Sequence, residues 1–205
     1  MTMFMKNVSQ ELRSQRGAMF GLDARVALAI FAGLSAIAGV AVFSAVRDTR
    51  VTGVLTEFDN ISKGYINFVF DTGVDVPQDT SSTAPNTTGT GVGFQNLYAD
   101  ANSTLNWNGP YITIATNTHT AGYGVFALRD GRIDANWTPS AINTSAGISG
   151  KWLTLSSVPC EIAGDLEKKI DGTGGTGNTG NFRYDSTCSP GDNETVAYLL
   201  SRTRS

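Results

Sequence analysis

Hydrophobic positions change their pattern twice along this chain. Residues 27–46 are twenty consecutive residues without a charge. At about 1.5 Å per residue, a helix over 26–46 measures roughly 30 Å, the thickness of a bilayer's hydrocarbon core. From Val51 onward the apolar residues recur three and four apart: Val51, Val54, Leu55, Phe58, Ile61, Tyr65, Ile66, Phe68 and Val69. Asp48, Arg50, Glu57, Asp59 and Lys63 fill the gaps. This spacing predicts that the helix continues with a single apolar face. Its first half suits lipid or a helix bundle, and its second half suits packing on a domain. Asp71-Thr72-Gly73 marks its end, with glycine at the C-cap and Pro77 beyond.

After that point the pattern breaks into short runs. Residues 78–93 are rich in Ser, Thr, Asn, Gly and Pro and read as a surface loop. Trp107-Asn108-Gly109-Pro110-Tyr111 predicts a tight turn that its flanking aromatics pin to the core. Strands are expected over 111–115 and 123–128, with Arg129-Asp130-Gly131 turning the chain into a hairpin partner over 132–137. Residues 151–158 read as a strand anchored by Trp152, Leu153 and Leu155, and 162–170 as a short helix. Residues 181–185 and 195–200 are the last strand candidates. The class is α+β: one long N-terminal helix, its first half apolar, packed on an antiparallel sheet.

Charge orients the apolar run. Lys6, Arg13 and Arg16 precede it, so the positive-inside rule places the N-terminus in the cytoplasm and Arg47 onward outside. Three readings follow. A cleaved secretory signal has an apolar region of about 7–15 residues, shorter than this one, although Ala36-Ile37-Ala38 is a passable cleavage triplet. A plain membrane anchor is the second. The third is a precursor cut on the cytoplasmic side of the run.

That third reading rests on Arg16-Gly17-Ala18-Met19-Phe20-Gly21-Leu22-Asp23. The stretch resembles the N-terminus of type IV pilins and type II secretion major pseudopilins. In that family a basic leader ends in Gly or Ala, a hydrophobic residue follows the cut and is N-methylated, and an acid stands fifth in the mature chain. The resemblance implies cleavage after Ala18, methylation of Met19 and Asp23 as the fifth residue. A cut after Gly17 would make Asp23 the sixth. Here Ala replaces the family's usual Gly before the cut, and Asp replaces Glu. The aromatic, Asp-Thr-Gly and Pro77 over 65–77, together with the Trp107–Tyr111 element, resemble the end of the first helix and the approach to the first strand in major pseudopilins. The family is expected to have a pilin-like head over 73–205, a helix over 19–72 with about 26–46 spanning the membrane before assembly, and a leader over 1–18. It implies a structural subunit of a helical homopolymer, with a prepilin peptidase and inner-membrane assembly machinery as partners. The precursor would lie in the inner membrane and the filament in the periplasm or outside the cell. A membrane-anchored or secreted binding domain that never polymerises is the alternative.

Asp23 has its own physical logic. Cutting exposes a charged α-amine beside an apolar helix, and a carboxylate on a neighbouring helix supplies its counter-charge in a low-dielectric bundle. Otherwise a carboxylate near a helix N-terminus is only mildly favourable. Asp23 is the one acid between Glu11 and Asp48. Gly33 and Gly39, with Ala32, Ser35, Ala36 and Ala38, form a small-residue surface for close helix approach. No proline interrupts this stretch, so the glycines are its only candidates for local melting.

The 205 residues suffice for one core, and the net charge is −3. Lys6, Arg13 and Arg16 against Glu11 give the leader +2, leaving −5 on a mature chain. With no basic cluster among aromatics, nucleic-acid binding is not expected. Cys160 and Cys188 both follow the membrane run, so an exported chain would pair them. A C-terminal disulfide loop is also frequent among type IV pilins.

Catalytic constellations are absent, and no enzyme is expected. His119, the only histidine, reads as an exposed loop residue in Thr-Asn-Thr-His-Thr. Gly172-Thr-Gly174-Gly175-Thr-Gly177 spells G-x-G-x-x-G without the strand and helix a dinucleotide site needs, and reads as a flexible loop. Asp165, Asp171, Asp185 and Asp192 are the acids a calcium site would draw on, and major pseudopilins often hold calcium near the C-terminus. No EF-hand spacing occurs, and acids in a Gly-rich loop are ordinarily just solvated.

Overall fold

The computed structural model describes the backbone of residues 4–79, 92–101, 103–104, 106–133, 148–172, 177, 179–185 and 187–202, and side chains from residue 21 onward within these ranges, Val92 excepted. Helix α1 covers Phe4–Thr72. A short α2 (Val92–Gln95) precedes β1 (Phe126–Ile133), β2 (Ile148–Pro159), α3 (Cys160–Ile170), β3 (Phe182–Arg183) and β4 (Asn193–Arg202). The strands form one antiparallel sheet in the order β1-β2-β4-β3. By contacts the chain divides into two units, Met1–Asp48 and Thr49–Ser205.

In the second unit, α1 lies on the sheet along the predicted stripe. Val51, Val54, Phe58, Ile61, Tyr65 and Phe68 are buried, three and four residues apart. Their partners are Phe126 and Leu128 of β1, Leu153, Leu155 and Val158 of β2, Phe182, Val196, and Ile162, Ala163 and Leu166 of α3. Phe58 is central: its ring stacks on Tyr198 at 5.4 Å and meets Phe126 edge-on at 6.3 Å. Alternation along the strands sends Trp152, Ile133, Ala197 and Leu199 into a separate small cluster. Ile66 departs from the predicted face and is exposed. The helix ends as expected. Gly73, at φ +71°, donates its N–H to Val69 O at 3.0 Å, the glycine-terminated form of C-cap.

The Trp107–Tyr111 turn also forms as the sequence predicts. Gly109-Pro110 is cis. The Trp107 and Tyr111 rings meet edge-on at 5.8 Å, Trp107 Nε1–H donates to Asn96 O at 2.8 Å, and Tyr111 packs against Phe68 of α1 at 5.5 Å. Gly64 permits this approach, since a Cβ there would overlap Ile112 Cγ2.

Three expectations fail. Residues 111–115 form no strand: the N–H groups of Tyr111 and Ile112 both turn to Leu97 O, so no ladder starts. Asp130-Gly131 is no hairpin turn either. It lies inside β1, where Asp130 pairs with Lys151 and Gly131 with Gly150, at a Gly131 φ of +148° that other residues avoid. The partner of β1 is β2, and of the predicted 132–137 strand only Arg132 and Ile133 fall within the described residues, as the end of β1. The loop expected over 78–93 is not a surface loop at its ends, where Asp79, Gly93 and the adjoining Phe94 are buried.

Asp79 closes the outer edge of β1. Its N–H donates to Leu128 O at 3.0 Å, and its Oδ2 accepts from Leu128 N–H at 2.6 Å. On the same edge, Phe126 N–H donates to Asn117 O and Asp130 N–H to Gln78 Oε1. The opposite edge strand, β3, has two residues, and Asp171 caps it: its carboxylate accepts from Asn181 N–H at 2.9 Å and Phe182 N–H at 2.7 Å. Tyr184 N–H goes to Gly177 O. On each side of the sheet an aspartate thus takes up edge N–H groups, Asp79 at Leu128 and Asp171 at Asn181 and Phe182.

Candidate functional site

Among the described residues the first unit presents an exposed helix surface. From Gly21 to Asp48 every side chain is exposed except Arg47, which is half-buried. Eleven large apolar side chains are among them, from Leu22 to Val46, with Phe31 and Phe43 more than 70% exposed. The most apolar eighteen-residue stretch reaches a mean hydropathy of 2.4, and none of it is buried within the protein. This helix is long and apolar enough to cross a membrane. At about 1.5–3 kcal/mol per side chain, burying these groups is worth on the order of 20 kcal/mol, beyond the net stability of most domains.

Asp23 lies on this exposed surface, near the start of the described side chains. Arg25 stands two residues on, a separation at which helix side chains do not face each other. Sequence reasoning passed over this arginine. Gly33 and Gly39 interrupt nothing: the helix runs through both, and a Cβ at either would meet no atom within 4 Å. The backbone of Gly17, Ala18 and Met19 lies in α1, and their side chains fall outside the description.

Cys160 and Cys188 are joined in a disulfide. Within its loop, Asp171 caps β3, Glu167 Oε1 accepts from Gly177 N–H at 3.2 Å, and Glu161 Oε1 reaches out to Gly191 N–H at 3.0 Å. Asp165 pairs with Lys168 at 3.6 Å, and Asp185 accepts from the N–H and hydroxyl of Thr187. Asp192 serves through its backbone, its carbonyl taking Cys160 N–H. No group of three or more His, Cys, Asp or Glu side chains among the described residues is arranged to hold a metal. The four aspartates are thus not gathered into one site. Most of the Gly172–Gly177 motif lies outside the described residues.

Buried charge is what sequence reasoning missed. Asp79, Lys151, Glu167 and Arg183 are all buried. Burial pushes the Asp79 and Glu167 carboxyls up, against backbone N–H bonds that pull them down. Lys151 Nζ sits between Asp130 at 2.6 Å and Asp75 at 3.4 Å. Arg183 lies over the Trp152 ring at 5.9 Å. Tyr65, buried and hydrogen-bonded to Asp75 and Ser201, has its hydroxyl pushed up to about 12. No local signal marks Asp79 or Lys151, because their partners lie far away in sequence.

His119 corrects the sequence reading most directly. It is not an exposed loop residue but 3% exposed, beside Tyr123 at 4.8 Å and Phe126 at 5.7 Å. Its turn folds back on α1, so a polar stretch carries a core side chain. No family model, curated protein or solved structure matches this chain.

Proposed function

We propose that this chain is a structural subunit of a type IV pilus-like or pseudopilus filament, not an enzyme. It is made as an inner-membrane precursor with its N-terminus in the cytoplasm, cut after Ala18 by a prepilin peptidase, N-methylated at Met19 and polymerised through α1. One observation carries this reading. A single helix is exposed over 21–46 and uncharged there apart from Asp23 and Arg25, yet over 51–68 it is the spine of the head's core. A lipid anchor alone needs no acid at its mouth. A subunit that exchanges lipid for the helices of its neighbours needs a counter-charge for each new α-amine, and on this reading Asp23 supplies it.

N-terminal sequencing and mass analysis of the mature protein test this. The expected result is a chain starting at Met19 with a methylated amine. A mature N-terminus near Gly39 would make the run a cleaved secretory signal, and an uncut chain would make it a plain anchor. Either result overturns the proposal.

A further inference from the structure

His119 and Glu57 bring two unsatisfied polar atoms face to face inside the head. His119 Nε2 and Glu57 Oε2 are 3.6 Å apart, both are buried, and neither has a hydrogen-bond partner. The other histidine nitrogen is occupied: Nδ1 accepts from Ala121 N–H at 3.1 Å. An imidazole nitrogen that accepts carries no proton, so neutral His119 is the Nε2–H tautomer, with its proton toward Glu57.

The residues around the ring form a reverse turn. Thr118 bridges to Val125, His119 N–H donates to Gly124 O, and Gly122 N–H returns to His119 O. The base of the turn is fixed to β2, where Gly124 N–H donates to Ser156 O and Val125 N–H to Ser156 Oγ. The tip rests on α1 through Glu57, whose Oε1 accepts from the Thr120 hydroxyl and whose Oε2 faces His119. The other titratable groups near the ring are Tyr123 of the turn, whose ring lies against it, and Arg50 of α1, which acts on Tyr123.

We propose that this contact is an acid-sensitive latch: protonating His119 releases the tip of the 118–125 turn from α1. The second proton can go only to Nδ1. There it turns an acceptor into a donor that points at the Ala121 N–H, and two donors cannot share the site. The ring must swing or the turn must open. Glu57 attracts the new charge, but its Oε2 lies beyond hydrogen-bond distance from Nε2. Burial among Tyr123 and Phe126 outweighs that attraction and pushes His119 below the ordinary histidine range. A buried base of this kind is neutral when folded and charges more readily when the turn is open, so acid favours the open turn.

Since the chain has one histidine, its ring signals are free of overlap. The test is an NMR pH titration of the isotopically labelled full-length protein in detergent micelles, with amide exchange measured in parallel. At alkaline pH the ring should be the Nε2–H tautomer. Its protonation midpoint should fall below about 6.5. The Ala121 amide should shift, and the Gly122 and Gly124 amides lose protection, with that same midpoint. His119→Gln should abolish the pH dependence of those amides. A midpoint above the ordinary histidine value would overturn the proposal, since the Glu57 pair would then tighten in acid. Ring protonation that leaves the Ala121 amide unmoved would also overturn it. If His119→Gln does not fold, the wild-type titration decides alone.

Discussion

Asp79 shows how a single side chain can substitute for a missing strand. Its Oδ1 accepts from Gly93 N–H at 2.8 Å and Phe94 N–H at 3.3 Å, while Oδ2 takes Leu128 N–H. One carboxylate thus satisfies three backbone donors from two separate segments. Asp79→Ala leaves those donors buried without partners, at about 1–3 kcal/mol each, so a loss of about 2–4 kcal/mol is expected after local relaxation. Asp79→Asn keeps one carbonyl oxygen and should cost less. Denaturant unfolding of the two variants beside the wild type checks the order, and equal stability of all three would contradict it. Nothing near Asp79 in the sequence signals this role. It stands in a Pro-Gln-Asp-Thr run whose composition reads as loop, and its partners lie 14, 15 and 49 residues away. His119 was hidden in the same way, since a polar neighbourhood in sequence says nothing about what the turn folds against.

Elements were legible where their pattern repeats. The 3–4 spacing from Val51 to Phe68 named the core face of α1 because only a helix buries residues at that interval. α3 was readable for the same reason, and β2 from its run of apolar anchors at Trp152, Leu153 and Leu155. Asp130-Gly131 was misread because turn chemistry is a local preference, and the ladder to Lys151 and Gly150 overrode it. The Cys160–Cys188 loop lies between these cases. Its glycine-rich middle offers little to bury, but Glu167 and Asp171 hold Gly177, Asn181 and Phe182 by hydrogen bonds. The disulfide therefore acts with these contacts rather than alone. Replacing both cysteines by serine should lower stability by about 3–4 kcal/mol in the chain-entropy model and speed proteolysis within the loop, with α1 still helical. Thermal melts and limited proteolysis report the two effects. Quantitative thiol labelling of the wild type under native, non-reducing conditions would contradict the paired state itself.

For the molecule as a whole, the separation between the exposed first part of α1 and the folded head makes a clean prediction. Asp23 is exposed and belongs to the first unit, so Asp23→Ala should leave the head's fold, melting temperature and membrane insertion unchanged. On the filament reading it should abolish polymer growth, visible as loss of sheared, pelletable protein in cells with an intact assembly machine. Normal filaments from Asp23→Ala would remove the role given to that carboxylate. The sequence disclosed this division because composition alone separates an all-apolar helix half from a striped one. It could not disclose which atoms close the head, since those contacts exist only after folding.

On the filament reading, the covered sheet edges bear on what kind of polymer the subunits would make. An open edge strand recruits other strands, and a chain joined that way leaves its neighbours only by unfolding. Asp79 and Asp171 occupy edge N–H groups that such stitching would use, at Leu128, Asn181 and Phe182. On that reading attachment would fall to the apolar half of α1, whose burial lipid and neighbouring helices satisfy about equally. On the filament reading, a polymer held this way would be dismantled by returning each helix to the bilayer, with the head still folded.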